Sequence, residues 1–365
     1  MTPISKVLVT PVGMACNLAC SYCYNSPFAD PLGSVEMISV ALLRKLYEGL
    51  TVSAAQKLTV IWHGGEPTLA GIDFFASTIR DQDVIRATGR TVHNCIQTNG
   101  TRLTDDWCVL FAKNDIRPSL SVDGPTELHD QHRRDRGGHG THGQVMQAIA
   151  RLRKHNVDFG LLVVVTRDTL SRVDALFDWI VEHHVSHLDL LPCFESNRDG
   201  QPSKRVPTND ELSEFFIRMF DRWWEHDDPT IRIRTFQDIL RDELGGTTRV
   251  CSWRGNCSWI VSLNESGRVY PCARFHGFND IALGELGTAT LPDILKSPRA
   301  IELRQSMARG QEECLDCRWL RVCGGGCPFA RYATGGTFSA PYAFCKMRQR
   351  LFEHIHLRCE ASRDK

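Results

Sequence analysis

Apolar and polar positions along the first two hundred residues switch between two periods. Short runs of Val, Ile and Leu bounded by Gly, Pro or Asn read as buried strands. Longer runs with apolar residues three and four apart read as amphipathic helices. The first run, Ile4–Thr10, predicts a strand that Pro11 and Gly13 terminate. Val35–Leu50, with Met37, Ala41, Leu42 and Leu46 at helical spacing, predicts a helix. Lys57–Trp62, Thr91–Thr98, Pro118–Asp123, Asp158–Val165 and Leu188–Leu191 predict five more strands. Between them, Ile72–Arg86, Thr104–Lys113, Gly143–His155 and Leu170–His184 predict helices. Six β/α repeats imply a parallel sheet with right-handed crossovers. Eight would close a barrel, so the expected class is α/β, a partial (β/α)6 TIM-like barrel. In either form the chemistry belongs at the C-terminal strand ends.

The pattern then changes. Asn197–Ser203 reads as a loop by composition. Thr208-Asn209-Asp210-Glu211 is a capping box that opens a helix to about His226. Phe215, Phe216, Met219, Phe220, Trp223 and Trp224 give that helix an apolar face. A second helix, Phe236–Leu244, ends at Gly245-Gly246. Ile260–Tyr270 is apolar, turn, apolar, which predicts a β-hairpin bent at Asn264 to Gly267. The expected division is a core at 1–200, a helical connector at 201–248, a cysteine-rich domain at 249–348 and a C-terminal helix or tail at 349–365.

The 365 residues exceed the length at which one hydrophobic core stops growing, which supports more than one domain. Forty-three basic and 43 acidic residues balance, so nothing favours nucleic acid or a membrane surface as partner. No apolar run reaches the length of a bilayer span. Met1-Thr2-Pro3 leads straight into the first strand without a secretion leader. Fifteen cysteines in such a chain point to a reducing, cytoplasmic setting and to metal rather than disulfides.

The densest chemistry follows the first strand. Cys16, Cys20 and Cys23 put three thiols on one loop. A [4Fe–4S] cube has four iron corners, and thiolate is the usual ligand at each. Three thiolates leave one iron open to a small molecule. A zinc knuckle or a chance cluster is the alternative, although zinc sites usually begin with C-x-x-C pairs. After the second strand comes His63-Gly64-Gly65-Glu66-Pro67. Its glycines let backbone approach a ligand closely and Glu66 offers an acceptor; it could also be a Gly-rich turn or anion nest opening a helix. Gln97-Thr98-Asn99-Gly100 follows the third strand and reads as a tight turn. Ser121-Val122-Asp123-Gly124-Pro125 sets a hydroxyl and a carboxylate after the fourth, with an Asx turn as the alternative for Asp123. Arg133, in a charge-dense stretch Asp130–Gly138 that also reads as a solvated loop, offers a fork for a carboxylate.

Eight further thiols, Cys251, Cys257, Cys272, Cys314, Cys317, Cys323, Cys327 and Cys345, make two complete sets of four. Two fully ligated [4Fe–4S] clusters or two structural zincs both fit that number. Of the remaining Cys95, Cys108, Cys193 and Cys359, the first two fall in core elements and Cys359 in a tail. Cys193, just after the sixth strand, is the one placed to face a pocket.

The Cys16–Cys23 stretch, with Tyr22 in the aromatic slot, resembles the C-x-x-x-C-x-aromatic-C motif of the radical S-adenosylmethionine (SAM) family. That resemblance implies SAM on the open iron, one-electron cleavage of SAM and hydrogen abstraction by a 5′-deoxyadenosyl radical. It implies that Gly64, Gly65 and Glu66 hold the SAM amino group. The run from Gln97 to Val165 is similar to the anaerobic sulfatase-maturating enzymes, which implies SAM contacts at Ser121 and Arg133, with Asp123 beside them. The last third resembles the SPASM domain. In that pattern Cys251, Cys257, Cys272 and Cys327 would hold one auxiliary cluster and Cys314, Cys317, Cys323 and Cys345 the other, for three [4Fe–4S] clusters in all. Two positions depart from the sulfatase-maturating pattern. His63 stands where glutamine is common, and Ala273 stands where an aspartate follows the hairpin cysteine and acts as base. A methyl group cannot take a proton. The sequence reading therefore favours a peptide-modifying maturase that makes a crosslink or thioether in a ribosomal peptide. Formylglycine formation, with His63, Glu195 or another mouth residue as base, is the alternative, and a non-catalytic zinc-binding adaptor is the alternative of another class. His63, Cys193, Glu195 and Arg274 are the catalytic candidates. The expected partners are a peptide or protein substrate and a flavodoxin- or ferredoxin-type electron donor, on a monomeric chain.

Overall fold

The computed structural model describes residues 3–25, 35–195, 203–248, 250–255 and 257–363. The expected loop residues 197–202 lie outside the described residues. The strands in chain order are β1 (Lys6–Val9), β2 (Lys57–Trp62), β3 (Thr91–Thr98), β4 (Ile116–Ser121), β5 (Gly160–Val165), β6 (His187–Pro192), β7 (Arg232–Ile233), β8 (Ile260–Leu263), β9 (Arg268–Tyr270) and β10 (Gly284–Glu285). The chain forms two compact units of interleaved stretches. The first comprises Met1–Ser121, Arg133–Phe159 and Cys257–Gln305; the second Val122–His132, Gly160–Asn256 and Ser306–Lys365.

In the first unit the strands run in the order β10-β9-β8-β1-β2-β3-β4. β1 to β4 are parallel, as their helical crossovers require. The predicted hairpin exists as β8 and β9, paired antiparallel. It does not stand apart: β8 pairs parallel with β1, Lys6 opposite Ile260 through Val9 opposite Leu263. Val7, Val9, Val60, Trp62, Ile96 and Leu120 are completely buried, while alternate positions of β2 to β4 are less so, which makes one face of those strands the deeper one. Trp62, Phe75 and Trp107 meet edge to face at 5.1 and 5.3 Å, and the Trp62 indole donates to Asn94 Oδ1 at 3.0 Å.

In the second unit β5, β6 and β7 are parallel neighbours. The helix Asn209–His226 packs on Val173–Glu182 and on Cys345–Arg363. Its capping box forms as expected, the Thr208 N–H donating to Glu211 Oε2 at 2.7 Å and the Glu211 N–H to Thr208 Oγ1 at 3.2 Å. Phe215, Phe216, Met219 and Phe220 are buried on its inner face, each worth about 1.5–3 kcal/mol of transfer free energy.

Several boundaries move for local reasons. The helix expected from Val35 starts at Val40, because the Ser39 hydroxyl accepts the Leu42 N–H and caps it there. Ile72–Arg86 divides at Gln82 into Ile72–Asp81 and Asp83–Arg86. β4 begins at Ile116 and ends at Ser121, so Asp123 lies beyond it. The charge-dense loop is partly the helix Thr126–His132. Leu170–His184 is a 3-10 turn, Arg167–Arg172, followed by Val173–Glu182. Cys359 sits on the helix Cys345–Arg363, not in a tail.

Candidate functional site

β1 ends at Val9, and the chain turns through Pro11 to Gly13 into the loop that carries Cys16, Cys20 and Cys23, all half-buried. The loop is held from two sides. The Gly65 N–H donates to Gly13 O at 2.9 Å and the Glu66 N–H to Ala15 O at 2.8 Å. On the other side the Ala19 N–H donates to Arg134 O at 2.8 Å and the Arg136 guanidinium to Cys16 O at 2.9 Å. The two glycines of the Gly-Gly-Glu segment are needed for this approach. A Cβ on Gly65 would lie 2.0 Å from Ala15 O, and one on Gly64 would lie 2.4 Å from Gly13 O. Sequence reasoning assigned these glycines to a ligand; the backbone they meet is that of the cysteine loop.

Glu66 is fully buried. Its Oε1 accepts from the Thr68 N–H at 3.1 Å and from the hydroxyls of Thr68 and Thr98 at 2.6 and 2.7 Å. Its Oε2 accepts from the Asn99 N–H at 2.7 Å. Burial pushes this carboxyl up, and the four donors pull it back. Glu66 thus ties β3 to the cysteine loop. Asn99, read from sequence only as part of a turn, completes that tie: its amide donates to Asn17 Oδ1 at 2.9 Å and faces Cys16 Sγ at 3.8 Å. The signal that could have found it is the position of Gln97–Gly100 at the end of a strand neighbouring the cysteines.

Burial pushes the Cys16 thiol up to about 12, and Glu66, Cys20 and Cys23 add negative charge in the same direction, against the Leu18 N–H that donates to its sulfur. A thiolate is costly there unless a cation binds it, which is the chemistry a metal cluster supplies. Among the described residues, no three His, Cys, Asp or Glu side chains converge as a single ion would need. A four-iron cube binds each thiolate at its own corner and spaces them more widely.

Tyr22 is buried, and the Arg133 guanidinium lies 5.3 Å from its ring centre. Arg133 is itself buried, its carbonyl accepting the Thr141 hydroxyl at 2.9 Å. Ser121 Oγ accepts from Gln97 Nε2 at 3.0 Å at the ends of β4 and β3. In the second unit the Asp123 carboxylate accepts the Val164 N–H at 3.0 Å. That bond runs to β5, 41 residues along the chain, and is not the local bond of an Asx turn.

The catalytic candidates differ in setting. Burial, reinforced by Arg274, lowers His63 to about 4, so its imidazole is neutral at physiological pH. His63 Nδ1 accepts the Gly64 N–H at 2.7 Å. The Arg274 guanidinium lies 5.4 Å from the ring centre of Tyr24. Ala273, at the start of the turn Ala273–Phe275, is buried. A second imidazole, His276, which the sequence did not single out, is buried with Nε2 2.9 Å from Ser262 Oγ. Cys193 is buried at the end of β6, and burial, with Glu195 adding to it, pushes its thiol up to about 12. Glu195 is occupied: it accepts the Ser203 hydroxyl at 2.6 Å and the Arg205 guanidinium at 2.8 and 3.1 Å.

The C-terminal thiols carry their own cations. In the second unit Arg331 donates to Cys314 Sγ at 3.3 Å, Arg348 to Cys323 Sγ at 3.5 Å and Gln349 to Cys317 Sγ at 3.8 Å. Burial raises the Cys345 thiol, and Cys323, Cys314 and Cys317 act on it together. These four thiols therefore share one neighbourhood. In the first unit the Arg304 Nε and Nη2 are buried without a hydrogen-bond partner among the described residues, and Cys257 lies near enough to act electrostatically on that guanidinium. A cluster sulfur at Cys257 would give those donors an acceptor. Cys272 also lies in the first unit, and Cys251 and Cys327 lie in the second.

The family model of the radical SAM superfamily matches residues 10–180, and that of the SPASM iron–sulfur cluster-binding domain matches residues 251–318. The serine-type anaerobic sulfatase-maturating enzyme of Bacteroides thetaiotaomicron is 30% identical over 370 residues, covering 96% of this chain and 89% of the relative. The cysteine-type enzyme of Clostridium novyi is 28% identical, covering 95% and 94%. Among solved structures, histidine-tagged anSMEcpe with bound AdoMet superposes with a TM-score of 0.89 at 26% identity, covering 100% of this chain and 96% of that one. Native anSMEcpe with bound AdoMet and Cp18Cys peptide gives 0.88 at 25% identity, covering 100% of both.

Proposed function

Because this chain belongs to the family of the anaerobic sulfatase-maturating enzymes within the radical SAM superfamily, we propose that it oxidises a serine or cysteine side chain of a peptide or protein to formylglycine. The observation that carries the proposal is the three-thiol loop after β1, pinned to the Gly-Gly-Glu segment and to Asn99, in a chain alike over nearly its whole length to both types of maturating enzyme. Cys16, Cys20 and Cys23 would hold a [4Fe–4S] cluster, and Tyr22, Gly64, Gly65, Glu66, Ser121, Asp123 and Arg133 would frame SAM. A cluster so held supplies the electron that cleaves SAM and, through it, the radical that takes a substrate hydrogen. The protein's own part is positioning. Glu66 locks β3 to the loop, and Arg133 brings a buried cation beside Tyr22. The two C-terminal quartets would hold auxiliary clusters in the pairing set out above, with a flavodoxin- or ferredoxin-type donor supplying electrons.

These relatives favour formylglycine formation over the crosslinking reading that sequence analysis preferred. Ala273 is the specific observation that keeps the second reading, because a buried methyl cannot serve as the base that an aspartate supplies at that position. The test is anaerobic incubation of the reconstituted enzyme with SAM, a strong reductant and sulfatase-derived peptides carrying serine or cysteine. The expected result is 5′-deoxyadenosine together with loss of two hydrogens from the serine peptide. Uncleaved SAM sinks the radical reading altogether. Cleavage with both peptides unchanged, beside a crosslinked product from a ribosomal precursor peptide, replaces formylglycine formation with the second reading.

A further inference from the structure

Two of the most deeply buried cations in the molecule point at sulfur. Arg331 and Arg348 are 2% and 4% exposed. Arg331 donates to Gly325 O at 2.9 Å, to Ala340 O at 2.6 Å and to Cys314 Sγ at 3.3 Å. Arg348 donates to Ser252 O and Oγ at 3.3 and 3.2 Å and to Cys323 Sγ at 3.5 Å, with its guanidinium between the rings of Tyr342 and Trp253 at 4.3 and 5.2 Å. No carboxylate is paired with either side chain among the described residues. A guanidinium held out of water with carbonyls, rings and thiols is expensive unless negative charge arrives to meet it. Four thiolates around a [4Fe–4S]2+ core carry a net charge of two minus, which two guanidinium ions balance.

We propose that Arg331 and Arg348 are the positioning pair that neutralises the second auxiliary cluster and raises its reduction potential. This rests on the reading above that Cys314, Cys317, Cys323 and Cys345 hold a [4Fe–4S] cluster. Taking up one electron moves such a cluster from two minus to three minus. Buried cations and N–H donors at the ligating sulfurs stabilise the more negative form and so favour reduction. Each arginine reaches a different thiol, so the two act on separate corners. Their other bonds, to backbone and rings of the same unit, fix both forks whether or not metal is bound. The consequence is a cluster able to take an electron, beyond its use in holding the fold.

The experiment is redox potentiometry followed by EPR, with iron and sulfide content, on anaerobically reconstituted full-length protein in a Cys16→Ala, Cys20→Ala, Cys23→Ala background that leaves only the auxiliary clusters. Arg331→Gln and Arg348→Gln are expected to keep the iron and to move one of the two couples to lower potential. The expected shift is at least tenfold in the reduction equilibrium, 59 mV for one electron. Arg331→Lys, which keeps the charge and loses the fork, is expected to move it less. If the glutamine variants lose iron, the lysine variant decides: a retained cluster with a lowered couple supports the pair, and an unmoved couple overturns it. Retained iron with both couples unmoved in every variant, or equal loss of iron from lysine and glutamine variants, reduces the arginines to scaffold and overturns the proposal. If Cys314→Ala with Cys345→Ala leaves iron and both couples as in the parent, the cluster reading itself falls.

Discussion

At the scale of single residues, Glu66 and His276 show how buried polar groups constrain the site. Glu66 satisfies donors on Thr68, Thr98 and Asn99 at once. Its replacement by Gln puts an amide N–H against one or more of those donors and leaves them unpaired. Glu66→Gln is expected to cost about 1–3 kcal/mol, read from the urea midpoint, and to lower the iron retained by the cysteine loop. His276 carries a pH signature. Burial, then the neighbouring His63, lowers it from 6.5 to about 3. The unfolded chain therefore binds the extra proton between those values. The stability contributed by neutral His276 is complete above pH 6.5 and is lost as pH falls towards 3. The urea midpoint is expected to decline below pH 6.5, and His276→Gln to flatten that decline in proportion to the histidine's share. A wild-type midpoint that holds constant from pH 7 to pH 5 contradicts the burial assigned to this ring.

At the scale of elements, the cysteine loop is only as well placed as the segments that grip it. Gly65→Ala drives a methyl into Ala15 O and is expected to separate the Gly-Gly-Glu segment from the loop. Far-UV circular dichroism should stay near the parent spectrum while iron at Cys16, Cys20 and Cys23 falls sharply; unchanged iron would show that the close approach is dispensable. Phe220→Ala, in the other unit, is expected to cost about 3–5 kcal/mol without touching that iron. Elements of this kind were largely legible. Lys57–Trp62 and Thr91–Thr98 agree with β2 and β3 end to end, since flanking polar residues mark both boundaries of a buried run. The Thr208 capping box was legible because its two hydrogen bonds depend on residues three apart. Thr126–His132 was missed, since its helix follows from Pro125 and a tertiary setting that charge density conceals. Partners distant in sequence were not legible. Periodicity gave a hairpin over Ile260–Tyr270 but could not say that β8 lies against β1. Cysteine spacing marked the ligands, yet nothing in it predicted Asn99 on Cys16, or Arg331 and Arg348 on the last quartet.

At the scale of the whole molecule, the radical SAM and SPASM assignments and the α/β class were legible because motif and repeat agreed along the chain. The choice between two peptide chemistries was not. One methyl at Ala273 turned the sequence reading towards crosslinking, whereas similarity over 96% of the chain favours the sulfatase-maturating reading. A count of metal tests the assembled picture. Full reconstitution is expected to give about twelve irons per chain, at four per cluster, and the Cys16, Cys20, Cys23 triple alanine variant about eight. Zinc in place of iron and sulfide would return the chain to the adaptor reading. The pairing of β1 with β8 also bears on how the molecule is made. About 250 residues separate Lys6–Val9 from Ile260–Leu263, and until the later strand leaves the ribosome one side of the earlier strand has no partner. At about 5–20 residues per second that interval lasts on the order of tens of seconds. Throughout it, the nascent polypeptide presents a row of unpaired backbone N–H and C=O groups just ahead of the Cys16–Cys23 loop, the kind of edge that invites pairing with another chain.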